Sequence, residues 1–236
     1  MFKNVVKLHA IESTNDFLKS RFRESELPNL HCVYTQNQTH GKGQRGTRWQ
    51  SEAGKNLLFS VLYRNDDELN PFEVSQFISV VLTEFIKSKT DLQVAIKWPN
   101  DILAGGKKIA GILIENIFRK GVLTHSIIGV GLNVNQKVFD SLPRAGSLKS
   151  LTGRTFDIDL LLNTFIDFLH NSIASTYEKI NCFDKYFYKY QKTALFKIQD
   201  TTVQAKILGT DASGRLLLEF DGYVKSYDLK EVVWIY

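Results

Sequence analysis

The stretch from Gln36 to Trp49, Gln-Asn-Gln-Thr-His-Gly-Lys-Gly-Gln-Arg-Gly-Thr-Arg-Trp, interleaves Gly41, Gly43 and Gly46 with Lys42, Arg45 and Arg48. Glycine takes positive φ without a steric penalty, and successive backbone amides in such turns form concave anion sites. A phosphate or a carboxylate is therefore the ligand class this stretch suits. It fits neither common phosphate loop, since a Walker A needs Gly-Lys-Ser/Thr at a fixed spacing and the dinucleotide fingerprint needs its glycines between a strand and a helix. Apolar runs flank it instead, Leu30 to Tyr34 and Asn56 to Tyr63, which predicts strand, mobile loop, strand. On the residues alone, a solvated basic hairpin tip explains the stretch equally well.

Three further groups carry chemistry. Ser13, Thr14 and Asn15 stand at a strand-to-helix corner, where each is a good N-cap and where adjacent polar side chains can also bond a ligand's polar head. Lys97-Trp98-Pro99-Asn100-Asp101 ends a strand at a proline, which cannot continue a central ladder, and so presents a lysine, an asparagine and an aspartate there. Gly111, Gly129 and Gly131 interrupt apolar strands. Glycine weakens a strand, and close approach of a ligand or another backbone is a common reason for it; tight sheet packing is the alternative.

The elements that must position these groups follow from periodicity. Val5 to Ile11 reads as a strand entering a helix with Phe17, Leu18 and Phe22 at helical spacing. Asn70-Pro71 opens a helix on Phe72, Phe77, Ile78, Val81, Leu82, Phe85 and Ile86. Asp91 to Ile96 is a strand. A hairpin turns at Ala104 to Lys107 and returns on Lys108 to Ile114, and after a turn at Arg119 to Gly121 another strand runs from Ser126 to Asn135. Leu160, Leu161, Phe165, Phe168, Leu169 and Ile173 predict one long helix from Asp157 to about Ile180, continued by a shorter aromatic one over Phe183 to Tyr190. Beyond Ala194 the period becomes two, with short strands at Thr202 to Ile207, Leu216 to Phe220, Val224 to Leu229 and Val232 to Ile235, which suggests a small barrel-like module.

Composition sets the outer limits. The chain has 236 residues, 43% of them hydrophobic, enough for a full core. Cys32 and Cys182 are its two cysteines, too few for a disulfide framework and without the paired spacing of zinc sites. No apolar stretch is long enough to span a bilayer, and the first residues lack the apolar run of a signal peptide, so the expected location is the cytoplasm. A net charge of +5 permits weak nucleic-acid binding but suits anionic substrates as well.

Taken in order, Ser13-Thr14-Asn15, Gln38 with Gly-Lys-Gly-Gln-Arg-Gly-Thr-Arg-Trp, Lys-Trp-Pro-Asn-Asp, Lys-Ile-Ala-Gly-Ile-Leu and Gly-Val-Gly-Leu-Asn resemble the biotin protein ligases over almost the whole chain. Each motif is weak alone, and five in sequence are specific. The resemblance implies an α+β fold, a mixed sheet with helices like that of class II aminoacyl-tRNA synthetases, over residues 1–190, and an SH3-like all-β module over 191–236. It implies ATP, biotin and Mg²⁺, formation of biotinyl-5′-AMP, and transfer of biotin to a lysine of a biotin carboxyl carrier domain of a carboxylase. By the same resemblance Lys108, Lys97 and Lys42 are catalytic cations. Ser13, Thr14, Asn15, Gln38, Gly41, Lys42, Gly43, Gln44, Lys108, Gly111, Leu113, Gly129 and Gly131 surround biotin. Lys42, Arg45, Arg48, Trp49, Lys97, Asn100, Asp101 and Asn133 serve the nucleotide, with Trp49 against adenine; the metal ligands stay unassigned.

Two rival functions belong to other classes. A lipoate or octanoate ligase or transferase shares the fold, with a different set of glycine and lysine motifs expected. A DNA-binding regulator needs several tens of residues for a helix-turn-helix domain, whereas Ser13 lies about a dozen residues from the start; the expectation is a short form with no specific DNA partner, no membrane and a possible homodimer through the sheet. The chain departs from the family at the loop, where the usual Gly-Arg-Gly-Arg-x-Gly-Arg-x-Trp becomes Lys42, Gln44 and Thr47 at the arginine positions. Arg45 and Arg48 stand one residue later than the second and third of these, so charge is kept but moved.

Overall fold

The computed structural model describes residues 4–140 and 142–235; Met1 to Lys3, on which part of the signal-peptide expectation rests, lie outside them, as do Ser141 and Tyr236. Strand β1 (Val5–Ile11) runs into α1 (Thr14–Glu24), and the crossover returns the chain as β2 (Cys32–Gln38) parallel to β1, as a strand, helix, strand unit must. The glycine-rich loop follows, with one 3-10 turn at Gln44–Gly46, and leads to β3 (Leu57–Arg64), antiparallel to β2.

Helix α2 (Pro71–Lys89) begins at the Asn70 cap, which is closed reciprocally by Glu73. Short β4 (Val94–Lys97) and β5 (Asp101–Ala104) then pair with the long hairpin β6 (Lys107–Arg119) and β7 (Val122–Leu132). The result is a mixed seven-stranded sheet in the order β1-β2-β3-β7-β6-β5-β4. A short helix α3 (Leu148–Thr152), which periodicity missed, precedes α4 (Ile158–Ile173), α5 (Thr176–Asn181) and α6 (Phe183–Tyr186).

The long helix expected to about Ile180 is thus broken after Ile173. Ser172 and Thr176 turn their hydroxyls onto the carbonyls of Phe168 and Ile173, and Ser175 leaves helical geometry at φ −124°, ψ 32°; such back-bonding offers the backbone an alternative to the helix. The aromatic helix ends at Tyr186, not Tyr190, because Phe187 bridges to Ile96 and the Tyr188 N–H donates to the Ile96 carbonyl at 2.7 Å.

The C-terminal strands are β8 (Thr193–Ile198), unforeseen, then β9 (Thr201–Thr210), β10 (Leu216–Phe220), β11 (Tyr223–Tyr227) and β12 (Val232–Ile235). They form a five-stranded sheet, β11-β10-β9-β8-β12, antiparallel at every pairing. Its buried residues include Ala194, Phe196, Ala205, Ile207, Leu216, Leu218, Tyr227, Val232 and Trp234.

Alternation along the large sheet decides where a ligand can enter. In β3, Leu57, Phe59, Val61 and Tyr63 face α2 and α4 and join the main core, where Phe59 and Phe85 both pack on Phe165. The opposite face buries a smaller cluster of Leu18, Val33, Leu62 and Ile127 under α1. Side chains two apart share a face, so Ser60 goes with Leu62, and Gly129 and Gly131 with Ile127. Helix α1 covers the Leu62 and Ile127 end of this row with Leu18, and its first turn reaches Gly129 through Asn15.

Candidate active site

Helix α1 starts with its Ser13 side chain accepting from the Asp16 N–H at 3.4 Å. Ser13 is thus the cap, and Thr14 and Asn15, both buried, are released to face the sheet. The Thr14 N–H and hydroxyl both reach Gln38 Oε1, at 2.9 and 3.1 Å. The capping reading of this triplet holds for Ser13, and all three residues line a cavity.

Ser13, Thr14, Asn15 and Gln38 form the polar end of a cavity of about 290 Å³, which Lys42, Gly43, Gln44, Arg45, Arg48, Trp49, Asn100, Asp101, Lys108, Gly111, Leu113, Gly129 and Gly131 also line. A second cavity of about 360 Å³ is lined by Arg48, Trp49, Gln50, Asp101, Lys108, Asn133, Phe139, Leu142, Pro143, Arg144 and Ala145. Arg48, Trp49, Asp101 and Lys108 belong to both. Gly41 lines neither; it is buried behind the loop, where its carbonyl accepts from the Trp49 N–H at 2.9 Å.

The strand glycines have specific occupants. Gly111 and Gly131 are partners across β6 and β7, and the Trp49 ring lies on them: a Cβ at Gly131 would stand 2.5 Å from Trp49 Cε2, and one at Gly111 3.0 Å from Cζ3. The Lys108 ammonium sits 5.7 Å from the centroid of the same ring. Gly129 makes the equivalent space for the Asn15 amide. The packing alternative for these glycines and the pocket reading are therefore one arrangement, because the residues that fill the spaces are the cavity walls.

Lys108 is held at both ends. Its N–H donates to the Arg144 carbonyl at 2.7 Å, its carbonyl accepts from Gly146 at 2.9 Å, and its ammonium lies 2.5 Å from Asp101 Oδ1. Asn100 donates to the Ile112 carbonyl at 2.8 Å and so fixes the chain that carries Asp101. Lys97 does not line either cavity. Its buried side chain passes over the Trp234 ring, 5.6 Å from the centroid, and burial, opposed by Asp101 and helped by Lys108 and Arg144, brings its ammonium down to about 8.

The loop cations are already engaged. Lys42 Nζ lies 2.7 Å from Asp16 Oδ2, and this hydrogen bond holds its pKa above the ordinary lysine value. Arg45, in the left-handed region at φ 55°, reaches Asp228 of the C-terminal sheet at 2.6 Å. Arg48 donates to the Thr39 carbonyl at 2.6 Å.

Buried Asn133 donates to the Gly146 carbonyl at 2.9 Å. Its Oδ1 and the Trp49 Nε1 are buried without a hydrogen-bond partner. Both residues line the second cavity. Buried polar atoms are normally paired, so this wall holds one donor and one acceptor ready for a ligand.

Sequence reasoning missed the outer wall of the second cavity, Phe139 and Leu142 to Ala145. The stretch has no period to read, and its only signal was apolar residues, Val138, Phe139 and Leu142, inside an irregular segment. Ser60 and Glu115, which bond the polar triplet, and Lys19, which bonds Glu115, were also missed.

A family model described as the Biotin/lipoate A/B protein ligase family matches residues 8–133. The chain is 29% identical over 235 residues to the bifunctional ligase/repressor BirA of Escherichia coli strain K12, covering 95% of this chain and 72% of that protein. It is 33% identical over 146 residues to the biotin--[acetyl-CoA-carboxylase] ligase of Mycobacterium tuberculosis, covering 59% and 52%. Among solved structures, the biotin protein ligase from Aquifex aeolicus in complex with biotin and ATP superposes with a TM-score of 0.80 at 22% identity, over 99% of both chains. With more than half its length inside the family model and the ordered motifs gathered around one pair of cavities, the chain belongs to the biotin/lipoate A/B protein ligase family.

Proposed function

We propose that the chain is an ATP-dependent biotin protein ligase. The observation that carries this reading is the junction of the two cavities at Lys108, Asp101, Trp49 and Arg48. A head group bonded at Ser13, Thr14, Asn15 and Gln38 would send its carboxylate towards Lys108, and a nucleotide in the second cavity would bring its α-phosphate to the same point.

In the first step a biotin carboxylate oxygen bonds to the α-phosphorus of ATP while the bond to the bridging oxygen breaks and pyrophosphate leaves. Two anions must meet, and a fixed cation offsets the charge of the transition state. Lys108 does this from a position set by two backbone hydrogen bonds and Asp101. In the second step the neutral amine of a carrier-domain lysine attacks the acyl carbon, AMP leaves, and the nitrogen loses a proton. Trp49, on its glycine pair, would separate the two ligands and give the adenine an apolar face.

Mg²⁺ favours oxygen ligands and is often held by one or two carboxylates with substrate phosphates. Asp101 is the carboxylate among the lining residues of both cavities, so it suits this role, and the ion would neutralise phosphate charge there. No group of three or more candidate metal-binding side chains exists among the described residues, in keeping with an ion that arrives with the nucleotide. The partner is the biotin carboxyl carrier domain of a carboxylase. No helix of the described residues is long and apolar enough to cross a membrane.

The direct test is biotin-dependent exchange of pyrophosphate into ATP, with mass spectrometry for biotinyl-5′-AMP. Exchange with biotin and none with lipoate or octanoate is expected, because a dithiolane or alkyl chain makes no use of the polar corner. Exchange driven by lipoate instead would overturn the reading.

A further inference from the structure

The polar corner of the first cavity is tied outward to a carboxylate on β6 that lies outside that cavity's lining. Ser60 Oγ is 2.7 Å from Thr14 Oγ1 and 2.6 Å from Asn15 Oδ1. Asn15 Nδ2 donates to Glu115 Oε2 at 3.0 Å and to the Leu113 carbonyl at 3.3 Å. Lys19 Nζ closes the chain on Glu115 Oε1 at 2.7 Å. Asn15, Thr14 and Ser60 are all buried.

The direction of every bond in this chain follows from its outer end. A carboxylate only accepts, so Glu115 obliges Asn15 to present its NH₂ outward and its Oδ1 inward. That Oδ1 also only accepts, so the single Ser60 proton goes to it. At 2.7 Å the Thr14 hydroxyl must then donate to Ser60, which leaves the Thr14 N–H as the donor to Gln38 Oε1 and leaves one Ser60 lone pair and those of Thr14 as acceptors. Gln38 holds its Oε1 against the Thr14 amide, which leaves Nε2 to donate. Gly129 makes the arrangement possible, because any Cβ there would overlap Asn15 Oδ1.

We propose that Glu115, acting through Asn15 and Ser60, is the positioning residue that sets the hydrogen-bond polarity of the head-group pocket, and so selects a ring that donates N–H bonds, a cyclic urea, over an apolar ring of similar size. This rests on the biotin ligase reading. A site whose buried polar groups need a partner discriminates strongly against a ligand that lacks one, and Glu115 decides which polarity those groups show.

The test compares parent, Glu115→Leu, Glu115→Gln and Ser60→Ala, using calorimetric binding and steady-state kinetics with biotin and its two ring N-methyl derivatives. Glu115→Leu is expected to weaken biotin binding and raise the biotin KM by about 10-fold or more. The ATP KM and the kcat at saturating biotin should change by less than about 3-fold, since uniform binding alone is lost. Glu115→Gln should recover most of the loss, because its amide oxygen can accept from Asn15. Loss of one ring N–H should cost the parent about 10-fold and cost Glu115→Leu far less. Ser60→Ala, which removes the middle link alone, should reproduce that pattern even if the leucine variant does not fold.

An equal N-methyl penalty in parent and variants, or an ATP KM that moves with the biotin KM, would overturn the proposal. A parent that neither binds biotin nor exchanges pyrophosphate with it would overturn the functional reading and this proposal with it, and is distinguishable because the parent itself then fails.

Discussion

Lys108, Lys97 and Lys42 are the same residue type in three electrostatic situations, and the differences separate their roles. Lys108 is the one at the junction of the cavities, so Lys108→Ala should lower the rate of pyrophosphate exchange by about 100-fold or more, the scale of removing a preorganised charge-stabilising group. Its side chain is about one-third exposed, so far-UV circular dichroism should show an intact fold; near-parental exchange would refute the assignment. Lys97, pushed down to about 8, gives a pH signature. The unfolded chain binds this proton up to about pH 10.4 and the folded chain only to about 8, so between these values the unfolded state holds more protons. The contribution of Lys97 to stability therefore rises with pH across that window. Stability in denaturant should therefore be flat in this contribution below about pH 8 and rise above it. Denaturant titrations from about pH 7 to 9.5 on parent and Lys97→Arg would show this slope in the parent and its absence in the variant.

Among the elements, the β6 and β7 hairpin does the most to shape the site, since its glycine partners give Trp49 a flat bed. Gly131→Ala places a methyl group 2.5 Å from the indole, closer than real Cβ contacts allow, so the ring must move. The expected result is a raised ATP KM, about 10-fold or more if the displaced ring leaves polar atoms of the wall unpaired, with biotin binding less affected. Equal loss for both ligands would point to a general disturbance of the sheet. Much of this element was legible beforehand: apolar runs located β3, β6 and β7, and the glycines within β6 and β7 marked a close approach. The Asn70-Pro71 start of α2 was legible as well, because caps and proline act locally. The break between α4 and α5 was not, since it depends on hydroxyls choosing carbonyls in a segment whose apolar spacing still reads as helix. Nor was the wall of Phe139 and Leu142 to Ala145, which has no period and is held at Arg144 by the Lys108 backbone. Glu115 escaped for another reason: in a strand it reads as a solvent-facing charge, and only the approach of α1 turns it towards Asn15.

At the scale of the molecule, the proposed boundary at 190/191 separates two modules that share one interior. The main core runs without interruption from Phe77 and Ile96 to Phe196, Leu218 and Trp234. Trp98 Nε1 donates to the Gly214 carbonyl at 2.8 Å, and Phe72 packs so closely that a Cβ at Gly214 would meet it at 2.5 Å. Calorimetry should therefore show a single unfolding transition with equal calorimetric and van't Hoff enthalpies, and a chain cut at residue 190 should lose the transition. Two resolved transitions would show that the modules unfold independently. The contact between Arg45 and Asp228 has a different character from this shared interior. It is a 2.6 Å charge-assisted hydrogen bond with both side chains more than one-third exposed, and it ties the glycine-rich loop to the far module. Ions in solution screen such a pair, over about 8 Å at physiological strength and about 3 Å at 1 M. The firmness with which the loop closes over biotinyl-5′-AMP is thus adjustable from outside the protein. Leakage of the adenylate, followed by quench or filter binding, should quicken as potassium chloride is raised. In Asp228→Asn it should already be quick in dilute buffer and respond little to added salt.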